Sequence, residues 1–160
     1  MPIVNNVTRL LDAKKIRYTA FETPPEKLGA LETAHILSVP VGAVFKTIVV
    51  TRPGPGKPIL AVIPGDREVD LKLLAAFLGV KKVTLPSERE AEQLTGLQAG
   101  GISPLALINR GFQVIIDEAA KSRSEIHVSG GQRGLNIRLP VDALAMVTNA
   151  RFAAVSREPD

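Results

Sequence analysis

Two apolar runs, VFKTIVV (Val44 to Val50) and ILAVIP (Ile59 to Pro64), stand on either side of RPGPGKP. β-Branched side chains crowd a helix and suit a pleated surface, and a Pro- and Gly-rich link reverses the chain, so the stretch predicts a β-hairpin. FQVIID (Phe112 to Asp117), EIHVS (Glu125 to Ser129) and LNIRL (Leu135 to Leu139) read as further strands, the last two joined by GGQRG, and Tyr18 to Glu22 and Lys82 to Leu85 read as short ones. Helical spacing appears at Val4, Val7, Leu10 and Leu11, ending near Lys14 and Lys15, and at Leu31 to Leu37, ending before Pro40. Asp70 and Gly79 bracket a third helix, a Ser87/Glu90 capping box and Gly96 a fourth, and Pro140 to Met146 forms the last before RFAAVS. These elements do not alternate as βαβ units. The pattern predicts an α+β fold with a mainly antiparallel or mixed sheet, and 160 residues without repeats or linkers predict one domain over residues 1–160.

Cysteine is absent, which removes disulfides, thiolate nucleophiles and Cys-ligated zinc. The phosphate-binding glycine loops, HExxH, GxSxG and the EF-hand loop are missing too, so nucleotide-fold, zinc-protease and hydrolase-elbow chemistry has no foothold. His35 falls in a predicted helix and His127 in a predicted strand, and both read as structural rather than as a dyad. Asp117 and Glu118 at a strand end read as a solvated boundary rather than a cation site. No metal and no cofactor are expected. No apolar run reaches the ~18 residues of a membrane span, and the N-terminal MPIVNNVTRLLDAKKI lacks the basic and apolar regions of a signal peptide. A cytoplasmic protein with no membrane partner is expected. A formal charge of +4 suits a polyanionic partner, yet basic residues are dispersed and aromatics are 4%, against an extensive base-stacking surface.

Three features remain. Lys46 shares its strand face with Val44, Ile48 and Val50 by period-two alternation, which suggests either an inward lysine with a task or an edge lysine that discourages strand addition. AGGISPLA (Ala99 to Ala106) offers backbone without side chains at Gly100 and Gly101, stiffened by Pro104, and reads as a ligand-approaching corner or as a tight connection. SGGQRG (Ser129 to Gly134) reads as a hairpin turn or as a loop whose Ser129 hydroxyl orients a ligand.

Together FKT (Phe45 to Thr47), GGISPL (Gly100 to Leu105) and VSGGQRGL (Val128 to Leu135) resemble the signature segments of the YbaK family, over nearly the whole chain and in the same order. That family comprises free-standing Cys-tRNA(Pro)/Cys-tRNA(Cys) deacylases related to the editing domain inserted in bacterial prolyl-tRNA synthetases. The resemblance implies a compact α+β domain built on a curved mixed β-sheet or barrel flanked by helices, and hydrolysis of the ester joining a mischarged amino acid to the tRNA 3′-adenosine. It implies the aminoacyl-tRNA 3′ end as substrate, a prolyl-tRNA synthetase as partner, and no DNA. Carried onto this sequence, Lys46 and Gly101 become the catalytic positions. Phe45, Thr47, Gly100, Ile102, Ser103, Pro104, Ser129, Gly130 and Asn136 become substrate-binding positions, with the corner's backbone holding the terminal ribose and ester. Arg133 becomes a structural anchor of its turn. The resemblance also implies that the substrate cysteine's thiol attacks its own ester.

The chain departs from the family twice. Asn136 stands where many members carry Asp, replacing a carboxylate suited to the substrate α-amino group, and Ala106 to Asn109 stand where glycine and lysines are common. Two alternatives to a Cys-tRNA(Pro) deacylase therefore stand: a deacylase for another mischarged tRNA such as Ala-tRNA(Pro), and a non-catalytic module that binds tRNA or a synthetase.

Overall fold

In chain order the elements are α1 (Asn6–Ala13), β1 (Thr19–Glu22), α2 (Ala30–Leu37), β2 (Phe45–Val50), β3 (Ile59–Pro64), β4 (Glu68–Val69), α3 (Leu71–Leu78), α4 (Glu88–Thr95), β5 (Gln113–Asp117), β6 (Glu125–Ser129), β7 (Leu135–Pro140), α5 (Val141–Thr148), β8 (Arg151–Ala153) and β9 (Ser156–Arg157). The structure is a computed structural model and describes residues 3–160; Met1 and Pro2 of the predicted domain lie outside the described residues.

Helix ends follow local chemistry. Asp70 accepts the Leu73 N–H at 3.0 Å, and Ser87 and Glu90 exchange side-chain and backbone bonds at 3.1 Å each. Gly79 and Gly96 end their helices in the left-handed region, with φ of 72° and 73°, where a Cβ would cost energy.

The predicted hairpin forms, with β2 and β3 antiparallel from Phe45↔Pro64 to Val50↔Ile59. β3 then pairs with β5 in parallel and β5 with β8 in parallel, giving a mixed sheet of order β2-β3-β5-β8. A second, antiparallel sheet has the order β1-β7-β6, and β4 pairs with β9. β3 is buried along its whole length because both faces of its sheet are covered, which explains an unbroken apolar run where a half-exposed strand would alternate. One face meets Ile126, Val128, Ile137 and Leu139 of the second sheet with Val7, Leu11 and Leu144 from helices; the other meets Leu74 and Ala75 of α3. A parallel bridge between Val44 and His127 joins the two sheets into one curled surface. Among the described residues β1 and β8 remain its free edges, so the curl is a curved mixed sheet and not a closed barrel.

Two expectations change. Lys82 to Leu85 is no strand; only Thr84 bridges, to Thr51. Asp117 is not a solvated boundary but 4% exposed, its carboxylate accepting the N–H groups of Ala119 at 3.2 Å and of Val155 at 2.9 Å. Among the described residues no helix is long and apolar enough to cross a membrane.

Candidate functional site

β2 is the edge strand of its sheet, and its outer side opens onto a cavity of about 630 Å³. At one end β2 touches β6 through Val44 and His127, and at the other Thr51 pairs outward with Thr84 through two backbone bonds of 2.8 and 3.0 Å. Alternate residues of an antiparallel strand turn their main-chain groups to the same side. The Val44 carbonyl accepts from Gly65 on the β3 side and Thr51 faces outward, so Thr47 and Val49 also turn N–H and C=O away from β3, along the cavity wall they line.

The cavity gathers parts of all three segments singled out from sequence. Phe45, Lys46 and Thr47 form the β2 wall, Gly100 and Ile102 the corner, and Ser129 and Asn136 the end of the β6–β7 hairpin. Four expected positions stand behind this surface. Ser103 is fully buried and caps the 3-10 turn Pro104–Ala106 by accepting the Leu105 N–H at 3.1 Å, and Pro104 is buried at the start of that turn. Gly130 is buried, and a Cβ there would overlap the Leu135 side chain. Gly101 is buried too, its N–H donated to the Gln98 carbonyl at 2.8 Å and therefore not offered to a ligand. Its lack of a side chain answers to packing, since a Cβ would stand 2.9 Å from the Gln132 Cα. The left-handed residue of the corner is Gly100, with φ of 90°.

Corner and hairpin thus form one rigid wall. Arg133 Nε donates to the Ala99 carbonyl at 2.7 Å, tying the hairpin to the corner rather than stiffening its own turn alone. Asn5, the N-cap of α1, donates from Nδ2 to the Gly130 carbonyl and to Gln132 Oε1, both at 2.9 Å.

Lys46 is half-buried, with Nζ 3.4 Å from the Gly65 carbonyl oxygen. Burial pulls its pKa below the ordinary lysine value, and Glu68 and Asp66 pull the other way. His35 is exposed, whereas His127 lies 3% exposed beneath the cavity, its Nδ1 2.8 Å from Asn136 Oδ1 and its ring tilted against Phe21. Among the described residues no three His, Asp or Glu side chains gather to hold a metal ion.

The far rim was not singled out from sequence. Lys27 and Glu88 form an ion pair of 2.6 Å, and both line the cavity with Gly29, Leu85 and Pro86. The signal lay in the turn residues of TPPEKLG and LPS, which mark loops but not what the loops face. Ala106 and Leu107, one of the departures noted above, contribute to the core, Leu107 being 3% exposed.

The model of the aminoacyl-tRNA editing domain family matches residues 24–146. A protein of Enterococcus faecalis that carries the name Cys-tRNA(Pro)/Cys-tRNA(Cys) deacylase EbsC is 36% identical over 94% of this chain and 92% of its own length. A proline–tRNA ligase of Fervidobacterium nodosum is 26% identical over 85% of this chain, which spans 23% of that enzyme. The crystal structure of the hypothetical protein APE2540 superposes with a TM-score of 0.87 and 26% identity, covering 96% of this chain and all of that one (100%).

Proposed function

This chain belongs to the aminoacyl-tRNA editing domain family, and we propose that it is a one-domain, cytoplasmic trans-editing deacylase that cleaves the 3′ ester of mischarged Cys-tRNA(Pro), with Cys-tRNA(Cys) as a further substrate. One observation carries the reading: Lys46, Gly100 and Ile102 of the corner, Ser129 and Asn136, distant in sequence, wall a single cavity. The cavity's size falls in the range that encloses a small ligand, here the terminal adenosine with its aminoacyl group. The Lys46 ammonium binds the ester oxygens and stabilises the charge that develops on them. The edge groups of Thr47 and Val49 and the side-chain-poor corner hold the ribose and ester in register, and Ser129 stands beside the aminoacyl group.

The reaction forms a bond between the substrate thiol sulfur and the ester carbonyl carbon and breaks the bond from that carbon to the ribose 3′ oxygen. The thiol proton goes to that oxygen, leaving free tRNA and a cyclic thiolactone that water then opens. Holding the thiol against the carbonyl supplies roughly 7–11 kcal/mol of the barrier reduction. A prolyl-tRNA synthetase supplies tRNA choice, since proline–tRNA ligases contain a region similar to this chain.

Release of cysteine from Cys-tRNA(Pro) by wild type and Lys46→Ala tests the assignment. Removing one such donor is expected to lower kcat by roughly 10²–10³ with the melting temperature kept; wild-type turnover by the variant would sink it. The same panel with Ala-tRNA(Pro) decides the nearer alternative, and tight binding without release decides for a non-catalytic module.

A further inference from the structure

Asn136 and His127 form a buried pair on the polar face of the second sheet. Asn136 stands between its register partners Phe21 of β1 and Ser129 of β6, is 6% exposed and lines the cavity. Its Oδ1 is engaged by His127 Nδ1 at 2.8 Å, while its Nδ2 bonds to no described protein group and is not sealed from solvent. His127 is surrounded by Arg138 directly across on β7, Glu125 two residues back on β6, the Phe21 ring at 5.5 Å and Val44 of the neighbouring sheet. Burial keeps its pKa below the usual histidine value, with the Asn136 bond and Glu125 opposing and Arg138 assisting. A neutral imidazole carries one proton, and an amide oxygen can only accept. With no described partner at Nε2, the proton belongs on Nδ1.

We propose that His127 is a positioning residue: its Nδ1–H holds Asn136 Oδ1 so that the amide Nδ2 faces the cavity as a hydrogen-bond donor for the carbonyl oxygen of the aminoacyl ester. An amide free to turn over would present oxygen and nitrogen in turn; the imidazole fixes which end the substrate meets. A donor there cannot take the substrate's α-ammonium, which is itself all donor, so this wall reads the ester and not the amino group. The inference rests on the deacylase reading and adds a second donor, beside Lys46, for the oxygen on which charge develops.

The test is a double-mutant cycle on Cys-tRNA(Pro), with kcat, KM and melting temperature measured for His127→Leu, Asn136→Leu, the double variant and His127→Asn. The double variant leaves no orphaned polar group and keeps the comparison open if either single variant unfolds. Asn136→Leu and His127→Leu should each lower kcat roughly tenfold to a hundredfold with KM little changed. The double variant should lose no more than Asn136→Leu, because the histidine acts only through the amide. His127→Asn places an amide N–H near the Nδ1 position and should restore most of the turnover lost in His127→Leu. Wild-type kcat in the double variant, additive losses, or no recovery in His127→Asn would overturn the inference while an active wild type leaves the deacylase reading standing. A wild type that releases nothing from any aminoacyl-tRNA would overturn both.

Discussion

Lys46 is half-buried on the edge strand β2 and lines the cavity, and its ammonium is held by one carbonyl, at 3.4 Å, with Asp66 and Glu68 as the opposing charges. Burial lowers its pKa from 10.5, and the cation needed at the ester is lost as pH rises through that lowered value. kcat/KM, corrected for spontaneous ester hydrolysis, should therefore fall on the alkaline side at a pH where a surface lysine is still charged. Stability runs in the opposite sense. Between the lowered pKa and 10.5 the unfolded chain binds more protons than the folded one, so stability rises with pH through that window. Lys46→Arg should erase the alkaline fall even where it restores little rate, and a fall that survives in this variant belongs to another group. The glycines behind the wall make a different prediction. Gly130→Ala drives a Cβ into Leu135 and should cost about 1–3 kcal/mol by chemical denaturation. Gly101→Ala pushes the corner off Gln132 and should lower stability and turnover together, since the wall itself moves; lost turnover at unchanged stability would return Gly101 to direct substrate contact. The paired glycines were legible in the sequence as places where side chains are unwelcome. At Gly130 the excluding group is Leu135 of the same hairpin, whereas at Gly101 it is Gln132, on a loop distant in the chain, which no local pattern carries.

Elements whose determinants lie within one turn could be read from the sequence, and those completed from afar could not. The Ser87/Glu90 box and Gly96 set the ends of α4 through partners three or four residues away. Ser87→Ala should destabilise the protein by about 1 kcal/mol in thermal or urea unfolding. An unchanged midpoint would mean that the helix start is held by packing alone. Asp117 shows the other case. Its second partner, Val155, is 38 residues away, so a buried anchor looked like a solvated strand end. Asp117→Ala strands two N–H groups, one of them buried with Val155, and should cost about 2–4 kcal/mol; a loss near zero would show that water satisfies both. The parallel pairing of β5 with β3 and β8 and the bridge from Val44 to His127 were hidden for the same reason. A strand's period tells which face is buried, not which strand lies beside it. That bridge decides where the two sheets part, and so where the cavity opens. The segments that wall the cavity could be named from the sequence, but its far rim at Lys27 and Glu88 could not.

At the scale of the whole molecule, the fold supplies a cavity lined by the Lys46 ammonium, the Asn136 amide, hydroxyls, backbone and the exposed carboxylates Glu26, Glu32 and Glu88, with no thiol in the chain and with His127 bonded to Asn136. A wall of this kind can orient an ester and stabilise charge on its oxygens, and the attacking atom then comes from the substrate or from water. The two sources differ in what they ask of the amino acid. A positioned water is indifferent to the side chain beyond its fit, whereas self-attack needs a good nucleophile at the right distance, and at neutral pH a thiol ionises far more readily than a hydroxyl. Cys-tRNA(Pro) should therefore be cleared at least about 10³-fold faster than Ser-tRNA(Pro) or Ala-tRNA(Pro) under saturating enzyme, a gap beyond the roughly 10–200-fold that one small group's difference in pocket fit supplies. Single-turnover release at saturation separates rate from binding, and alkylating the substrate thiol should stop release without abolishing competition for the site. Bound Ser- and Ala-tRNA released as fast as Cys-tRNA would exclude self-attack, and an ordered water facing the Lys46 ammonium and the Asn136 amide would take the thiol's place.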